Sequence, residues 1–279
     1  MTPGSVCVTF DFDALSAWVA RGITTATPRS RGEFAAVAVP RLLAILRDRD
    51  LATTWFVPAH TAITYPDLCR RLVDSGHEVA LHGYAHENVA PLDRATEADL
   101  LGRSIDRLTE VTRQPPRGFR APSWDLSDHS VELMVEHGLL YDSSMMGDDH
   151  TPYFCRVGDR VDADGVQWGE QTSLVQIPVS WTLDDFPHLE FLRSAGSVLP
   201  GLQDPRSMFD RWYADLHWML REIDQGVLTV TFHPEVIGRG HRLLALEDWL
   251  DRVLDREVTF ETCATVAQRF RDAGSGSDA

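Results

Sequence analysis

The chain has 279 residues, of which 43% are hydrophobic and 24% are charged, a balance that is ordinary for a globular protein. Its formal net charge is -16, because 42 Asp and Glu residues face only 26 Lys and Arg residues. Such a surface repels the phosphates of nucleic acids and of anionic lipids, so we expect neither nucleic acid nor a membrane as a partner. It also argues against strongly anionic polymers as substrates.

The N-terminal sequence and the cysteines indicate where the protein works. Strand-like sequence begins at Ser5, which leaves no room for a signal peptide, and no apolar run approaches the ~20 residues needed to cross a bilayer. The four cysteines are scattered and form no C-x-x-C pair, which is typical of reduced, buried thiols, although a structural disulfide stays open. We therefore expect a cytoplasmic protein.

Along the chain, short β-prone runs alternate with helical apolar patterns. Strands are predicted over residues 5–10, 53–57, 78–82, 117–121, 139–142, 175–180, 227–232 and 257–260. An apolar stripe over residues 34–46 predicts a helix with Pro40 at its N1 position, and further helices are predicted over residues 68–76, 97–111, 130–137, 209–223, 243–254 and 262–271. Residues 145–171 show weak periodicity, so we expect a surface excursion there near the rim of an active site.

Strand–helix alternation of this kind predicts an α/β protein with a parallel sheet. At this length we favour a distorted (β/α)7-8 barrel over the alternative, a doubly wound open sheet. One catalytic domain over residues 1–271 is sufficient, and a flexible C-terminal tail is expected over residues 272–279.

Two carboxylates follow the first predicted strand. Asp11 and Asp13 are separated by Phe12, and residues i and i+2 of a strand share a face, so both carboxylates can point into one pocket. Two carboxylates this close ionise together only where a cation lies beside them. A helix N-cap or an Asx turn would explain one of these aspartates but not both.

Three histidines follow two other predicted strands. His82 and His86 have i,i+4 spacing, which would place both imidazoles on one face of a turn of helix, and His233 precedes Pro234 at the end of a strand. One Asp with two His is an ordinary ligand set for a catalytic metal, and strand ends of this kind build active sites. The other Asp and the distant His would then move protons in a metal-assisted hydrolase.

A third motif lies at the end of the strand predicted over residues 117–121. Arg120 could hold a carboxylate through its planar guanidinium, or it could form a structural ion pair beside the turn at Pro122. Trp124 could form an apolar wall for a small ligand. The residues alone leave these alternatives open.

Together, and in this order, these motifs resemble the polysaccharide deacetylase family, the metal-dependent de-N-acetylases that share the NodB-homology domain. The resemblance covers most of the chain. Flanking segments such as 54–58 and 141–144 are similar to one branch, which contains cytoplasmic peptidoglycan-deacetylase-like proteins and hydrolases of cyclic imides and ureides. The motifs are Thr9-Phe10-Asp11-Phe12-Asp13, His82-Gly83-Tyr84-Ala85-His86, Arg120-Ala121-Pro122-Ser123 and His233-Pro234.

The resemblance divides the roles among the site residues. It implies that Asp13, His82 and His86 bind a divalent metal, most often Zn²⁺. Asp11 would then be the general base and His233 the general acid.

The resemblance also implies supporting roles. Arg120 would orient the general base, and the backbone N–H near Ser123 would help to hold the oxyanion. Ser123, Trp124 and Tyr84 are the residues expected to contact the substrate. Phe12, Gly83 and Trp124 depart from the usual family pattern, which bears on the size of the substrate.

The implied activity is that of a hydrolase of non-peptide carbon–nitrogen bonds in carbohydrate metabolism, which removes the acetyl group from an N-acetyl sugar or a small N-acetyl amide. One alternative is ring-opening of cyclic imides or ureides, and another is a non-catalytic binding module that keeps the fold. The partner would be a small-molecule or saccharide amide. The branch also suggests a homo-oligomer, in which an aromatic helix bearing Trp212, Tyr213 and Trp218 forms either an interface or part of the core.

Overall fold

The computed structural model describes residues 3–194, 197–199 and 201–275 as strands and helices that alternate along the chain. The strands are β1 (Gly4–Asp11), β2 (Thr54–Val57), β3 (Glu78–Leu81), β4 (Gly118–Phe119), β5 (Tyr141–Asp142), β6 (Tyr153–Val157), β7 (Arg160–Asp162), β8 (Gly165–Gln167), β9 (Glu170–Gln176), β10 (Leu192–Ser194), β11 (Ser197–Leu199), β12 (Val227–Phe232) and β13 (Val258–Phe260). The α-helices are α1 (Ser16–Ala20), α2 (Ala26–Glu33), α3 (Ala35–Arg47), α4 (Ala59–Thr64), α5 (Pro66–Asp74), α6 (Arg94–Thr112), α7 (Ser130–Glu136), α8 (Asp185–Leu189), α9 (Pro205–Glu222), α10 (Pro234–Ile237), α11 (Gly240–Leu254) and α12 (Cys263–Ser275). Short 3₁₀ helices cover Pro122–Trp124 and Trp181–Leu183.

Nine strands form one curved sheet in the order β12-β1-β2-β3-β4-β5-β9-β6, with β13 also paired to β1. Every neighbouring pair from β12 to β9 is parallel, and β6 pairs antiparallel with β9. The predicted α/β class with a mainly parallel, barrel-like sheet is therefore confirmed. The antiparallel strand was not predicted.

No strand pair closes this sheet into a full barrel within the described residues. Residues 177–184 instead run from β9 back to the free edge of β12, where Asp184 forms an isolated parallel bridge with Thr231. This return places Asp184 and the start of α8 beside the C-terminal end of β12. That position matters for the site described below.

The core lies around β1, which is buried along its whole length. Phe10 stacks on Trp55 of β2 with ring centroids 4.2 Å apart. On the other side, Phe232 of β12 packs against Trp212 of α9 and Trp249 of α11, at centroid distances of 5.2 and 6.4 Å. Aromatic side chains bury a large area each, so these contacts hold α9 and α11 against the sheet.

Some boundaries differ from the prediction. The helix expected to start near Pro40 begins at Ala35, so the proline lies inside α3, because a continuous buried face from Ala35 to Leu46 favours one helix. Residues 145–171 contain β6 and the β7–β8 hairpin. The last helix continues to Ser275, past the boundary placed at residue 271, and residues 276–279 lie outside the described part of the chain.

The cysteines and the aromatic helix have clear environments. Cys7, Cys69, Cys155 and Cys263 are all buried and free, as predicted. On α9, Trp212 is fully buried in the core, whereas Trp218 is half exposed. Among the helices in the described ranges, none is both long and apolar enough to cross a membrane.

Candidate metal and catalytic site

The C-terminal ends of four parallel strands bring the predicted site residues together. Asp11 ends β1, with Asp13 two residues later, while His82, Arg120 and His233 directly follow β3, β4 and β12. All five side chains are buried, at 6% exposure or less. Parallel strands in register end at one edge of the sheet, so residues far apart in sequence meet there.

Asp13, His82 and His86 form a compact group. One possible ligand atom from each lies within 4.8 Å of the other two. The Nε2 atom of His86 is 3.1 Å from Asp13 Oδ2, and that of His82 is 3.3 Å from Asp13 Oδ1.

The environment of His82 indicates that a cation belongs between these groups. Its Nδ1 atom lies 2.8 Å from the carbonyl oxygen of Arg120, which can only accept, so a neutral imidazole carries its proton on Nδ1. The bare Nε2 atom then faces Asp13 Oδ1, which is buried and has no hydrogen-bond partner. Two lone pairs at this distance repel each other, and a nitrogen–nitrogen–oxygen donor set fits a divalent metal.

The segment from His82 to His86 is a turn, and the prediction of a helical turn is wrong. Gly83 and His86 both have positive φ angles, 70° and 62°, which a right-handed helix does not allow. The carboxylate of Glu87 accepts hydrogen bonds from the backbone N–H groups of Tyr84 and Ala85, at 2.8 and 2.6 Å, and so holds the turn. The turn brings the two imidazoles together, with ring centroids 5.2 Å apart.

Asp11 is held by Arg120, through a 2.7 Å hydrogen bond from Nη1 to Oδ1. The same guanidinium donates to the carbonyl oxygen and the hydroxyl of Ser143, at 2.9 and 3.0 Å, and stacks on the ring of Phe56. The indole N–H of Trp124 lies 3.4 Å from the other oxygen of Asp11. These contacts fix the direction of both Asp11 oxygens.

Both aspartates stay ionised in this buried setting. Burial raises the pKa of Asp11, but the charge of Arg120 outweighs it and leaves the pKa below its ordinary value. Burial also raises the pKa of Asp13, and His86 and His82, when protonated, more than reverse that effect. Asp11 is thus ready to accept a proton.

His233 sits in a second carboxylate cluster, which the sequence analysis did not identify. Its Nδ1 atom is 2.9 Å from Asp185 Oδ1 and 3.5 Å from Asp184, and its backbone N–H donates to Asp185. Burial lowers the pKa of His233, but the two carboxylates overcome this and hold it well above its ordinary value. His233 therefore carries a proton that it can donate from Nε2, which is 3.8 Å from Asp13.

These groups line a cavity of about 250 Å³ at the edge of the sheet. Ser123 and Trp124, two of the residues expected to contact the substrate, line it, and both have positive φ angles, 57° and 55°. Its lining residues are Asp11, Asp13, Arg21, His82, His86, Ser123, Trp124, Trp181, Asp184, Phe186, Pro187 and His233.

One predicted contact residue and one predicted segment lie elsewhere. Tyr84, expected to touch the substrate, is not part of this lining. The turn at Gly83 directs its ring away, beneath the guanidinium of Arg103 at 4.4 Å. The rim expected from residues 145–171 is supplied instead by residues 181–187, because His150 in that excursion bonds to the start of β12, at the opposite end of the sheet.

Comparison with known proteins agrees with this geometry. The family model for polysaccharide deacetylase matches residues 3–141. The peptidoglycan deacetylase of Helicobacter pylori is 35% identical over 91% of this chain and 92% of its own length. The chain therefore belongs to the polysaccharide deacetylase family.

Solved structures confirm the fold of this deacetylase family member. A structure from Mycobacterium smegmatis assigned to the polysaccharide deacetylases is 34% identical, with a TM-score of 0.87 over 98% of this chain and 92% of that one. A solved allantoinase gives a TM-score of 0.77 over 96% of this chain and 90% of its own. At 20% identity, the allantoinase likeness concerns the fold alone.

The family assignment confirms the predicted class of protein. The chain is a hydrolase that acts on carbon–nitrogen bonds, and the family's deacetylases depend on a metal. Asp13, His82 and His86 give this family member a group of side chains that fits such an ion.

Proposed function

We propose that this protein removes the acetyl group from an N-acetylated sugar or a small N-acetyl amide, with Zn²⁺ held by Asp13, His82 and His86. The observation that carries the proposal is the buried Asp13 Oδ1 atom, which faces the bare nitrogen of His82 and has no hydrogen-bond partner. Two imidazoles and one carboxylate favour zinc over the oxygen-preferring divalent ions. When bound, zinc would polarise the amide carbonyl and acidify a water molecule.

The remaining residues have distinct proposed tasks in hydrolysis. Asp11, ionised and aligned by Arg120, takes a proton from the attacking water. His233, kept protonated by Asp184 and Asp185, gives a proton to the departing nitrogen. Trp124 shields the catalytic carboxylate from bulk water on one side.

Ring-opening of a cyclic imide or ureide is the second candidate, and the size of the cavity favours it. At about 250 Å³ the space lies just below the range of ordinary ligand pockets. Trp124 and Trp181, which stack on each other with ring centroids 4.6 Å apart, both line it. A small ring fits this space, and the same base, acid and metal would open its amide bond.

An activity panel separates the two candidates. The zinc-loaded protein is given N-acetyl sugars, small N-acetyl amides and cyclic imides, and acetate release is measured alongside loss of imide-ring absorbance. Hydrolysis of the first two groups supports deacetylation, whereas hydrolysis of the imides alone supports ring-opening. A metal-loaded protein that turns over no compound would instead be a binding module.

Asp11→Asn tests the proton-transfer role in the same panel. We expect this variant to keep its metal and its KM but to lose about 10²- to 10⁴-fold in kcat, the range typical of a lost general base. The control is Asp215→Asn, which changes a half-buried carboxylate on α9 that faces His150, away from the site. Unchanged turnover in Asp11→Asn would contradict the assigned role.

The cellular location, the oligomeric state and the domain organisation are proposed separately. The free, buried cysteines are compatible with a reducing compartment, and we propose a cytoplasmic location, to be checked by cell fractionation. We also propose a homo-oligomer, to be checked by light scattering of the purified protein. Residues 1–271 are proposed to act as a single catalytic domain.

A further inference from the structure

The walls of the cavity carry one strongly basic side chain, that of Arg21. Of the described residues that line the cavity, it is the only Lys or Arg. The floor is formed by the aspartates and histidines of the proposed site, and Trp124, Trp181, Phe186 and Pro187 supply the apolar walls. An arginine in this position faces whatever occupies the space between the aromatic wall and the floor.

The fold places Arg21 close to the reacting groups. Helix α1 follows β1 after a short turn in which Ala14 has a φ angle of 48° and Ser16 Oγ donates to the carbonyl oxygen of Asp13 at 2.7 Å. The helix has only five residues, so it is about 7.5 Å long. Arg21 caps it, and its Nη1 atom donates to the carbonyl oxygen of Ala17 at 2.7 Å, which fixes the guanidinium against the helix end.

Arg31 and Arg120 are each paired with a carboxylate, whereas Arg21 has no carboxylate partner among the described residues. Arg31, which shares a small adjoining cavity with Arg21, is paired with the carboxylate of Glu190. Arg120 is paired with Asp11. Within the described part of the chain, no carboxylate lies within 4 Å of Arg21, so most of the five guanidinium N–H groups remain available to a ligand.

We propose that Arg21 binds a carboxylate on the substrate, and that the natural substrate is therefore a small amide or cyclic ureide bearing an acidic group. This proposal rests on the hydrolase function proposed above and narrows its substrate class. A guanidinium recognises a carboxylate through two parallel hydrogen bonds, which fixes the orientation of the ligand as well as its charge. Trp124 and Trp181, which stack on each other and line the cavity, would contact the rest of the molecule.

The acidic surface does not oppose this substrate class. The net charge of -16 disfavours long anionic polymers, which contact much of the surface, whereas a small ligand responds mainly to charges a few ångströms away. Inside the cavity, Asp11 is paired with Arg120, and Asp185 is paired with His233. A divalent ion beside Asp13 would leave the cavity attractive to an anion.

The test uses pairs of compounds that share the reacting group and differ in one substituent that bears a carboxylate. N-acetylglucosamine is paired with N-acetylmuramic acid, and dihydrouracil is paired with dihydroorotate. Each is given to the zinc-loaded protein, and the quantity measured is the ratio of kcat/KM for the carboxylated member to that for the neutral member. We expect this ratio to exceed about ten for at least one pair, since a charged, oriented contact distinguishes the members.

Variants of Arg21 make the test specific. We expect Arg21→Gln to lower the ratio about tenfold, mainly through KM of the carboxylated member, and Arg21→Lys to restore part of it. The outer side of Arg21 is exposed, so a larger loss is not expected. Arg29→Gln is the matched control, because Arg29 lies on the adjoining helix α2, is exposed and does not line the cavity.

Two results would overturn the proposal: a wild-type ratio near one in both pairs, or an equal ratio in wild type and Arg21→Gln. If no compound is turned over, calorimetric dissociation constants for the same four compounds decide instead. Weaker binding of the carboxylated members by Arg21→Gln than by wild type would keep Arg21 as a carboxylate-binding residue and reject the hydrolase function. Equal binding by both proteins would reject the Arg21 site.

Discussion

Both ends of the parallel sheet carry acidic side chains, half-buried at one end and buried at the other, but the two sets differ in whether their oxygen atoms have partners. At the N-terminal end, Glu78 accepts hydrogen bonds from Thr54, Tyr141 and the backbone of Ala264, at 2.8, 2.9 and 3.0 Å. At the C-terminal end, Asp13 Oδ1 and Asp185 Oδ2 are buried without a hydrogen-bond partner.

The difference separates a structural site from a functional one. A buried oxygen without a partner costs about 1–3 kcal/mol, so a fold carries such atoms where something else satisfies them. Glu78 is satisfied by the protein itself and ties β2, β3, β5 and α12 together. Asp13 Oδ1 is not satisfied by the protein and is therefore available to a ligand such as a metal ion.

Asp13→Ala is the change expected to have the largest effect on function. The variant removes the carboxylate that both imidazoles face, so we expect loss of the bound metal and of all measurable hydrolysis. The measurement is the initial rate on the best substrate of the panel, with added zinc. Full activity in a metal-free Asp13→Ala sample would contradict metal-dependent hydrolysis with Asp13 as a ligand.

Asp185→Asn should have a smaller effect, confined to kcat. The amide can still accept from the backbone of His233, but it no longer stabilises the protonated imidazole, so a loss of roughly 10- to 100-fold is expected. Because Asp185 raises the pKa of His233, its removal should also move the alkaline limb of the rate profile to lower pH. Asp215→Asn again serves as the control, and an unshifted limb would contradict the role of Asp185.

Glu78→Ala should do the reverse and affect stability without affecting function. It leaves the buried donors of Thr54, Tyr141 and Ala264 unpaired, so we expect the free energy of unfolding to fall by about 2–4 kcal/mol. Urea denaturation measures the change. The metal content and KM of Glu78→Ala should match those of wild type. Loss of metal in this variant would contradict the assignment of Glu78 to a structural role and of Asp13 to metal binding.

The smallest effect concerns pH and His77, also at the N-terminal end. Burial lowers the pKa of His77 to about 4, and its Nδ1 atom pairs with Thr53 Oγ1 at 3.0 Å. Since the unfolded chain takes up this proton near pH 6.5 and the folded chain does not, His77 makes the protein less stable as pH falls from about 6.5 to 4. As pH falls from about 6.5 to 4, the melting temperature of wild type should approach that of His77→Gln. A constant difference between the two melting temperatures over this range would contradict His77 as the source of the pH dependence.

The catalytic end of the sheet was readable from the sequence because its residues stand directly after regular strands. Asp11, Asp13 and His233 each follow an alternating or apolar run, and the period of two fixes the face that both aspartates share. The order of these motifs then identified the family.

The remaining parts depend on contacts that local patterns do not encode. Asp184 and Asp185 follow an irregular segment, and only the bridge from Asp184 to Thr231 places them beside His233. Two adjacent acidic residues after the apolar run at 175–179 were the available signal. Nothing in the sequence distinguishes Arg21 from other charged residues near the end of a short helix. The positive φ angle of Gly83, which makes His82-x-x-x-His86 a turn and not a helix, is likewise seen only in the structure.

Metal analysis of three purified proteins tests the central claim most directly. Wild type, Asp13→Ala and Glu78→Ala are incubated with zinc, dialysed and measured by inductively coupled plasma mass spectrometry. We predict about one tightly held zinc ion per chain in wild type and in Glu78→Ala, and almost none in Asp13→Ala. Equal zinc in wild type and Asp13→Ala, or no zinc in any of the three, would contradict the account.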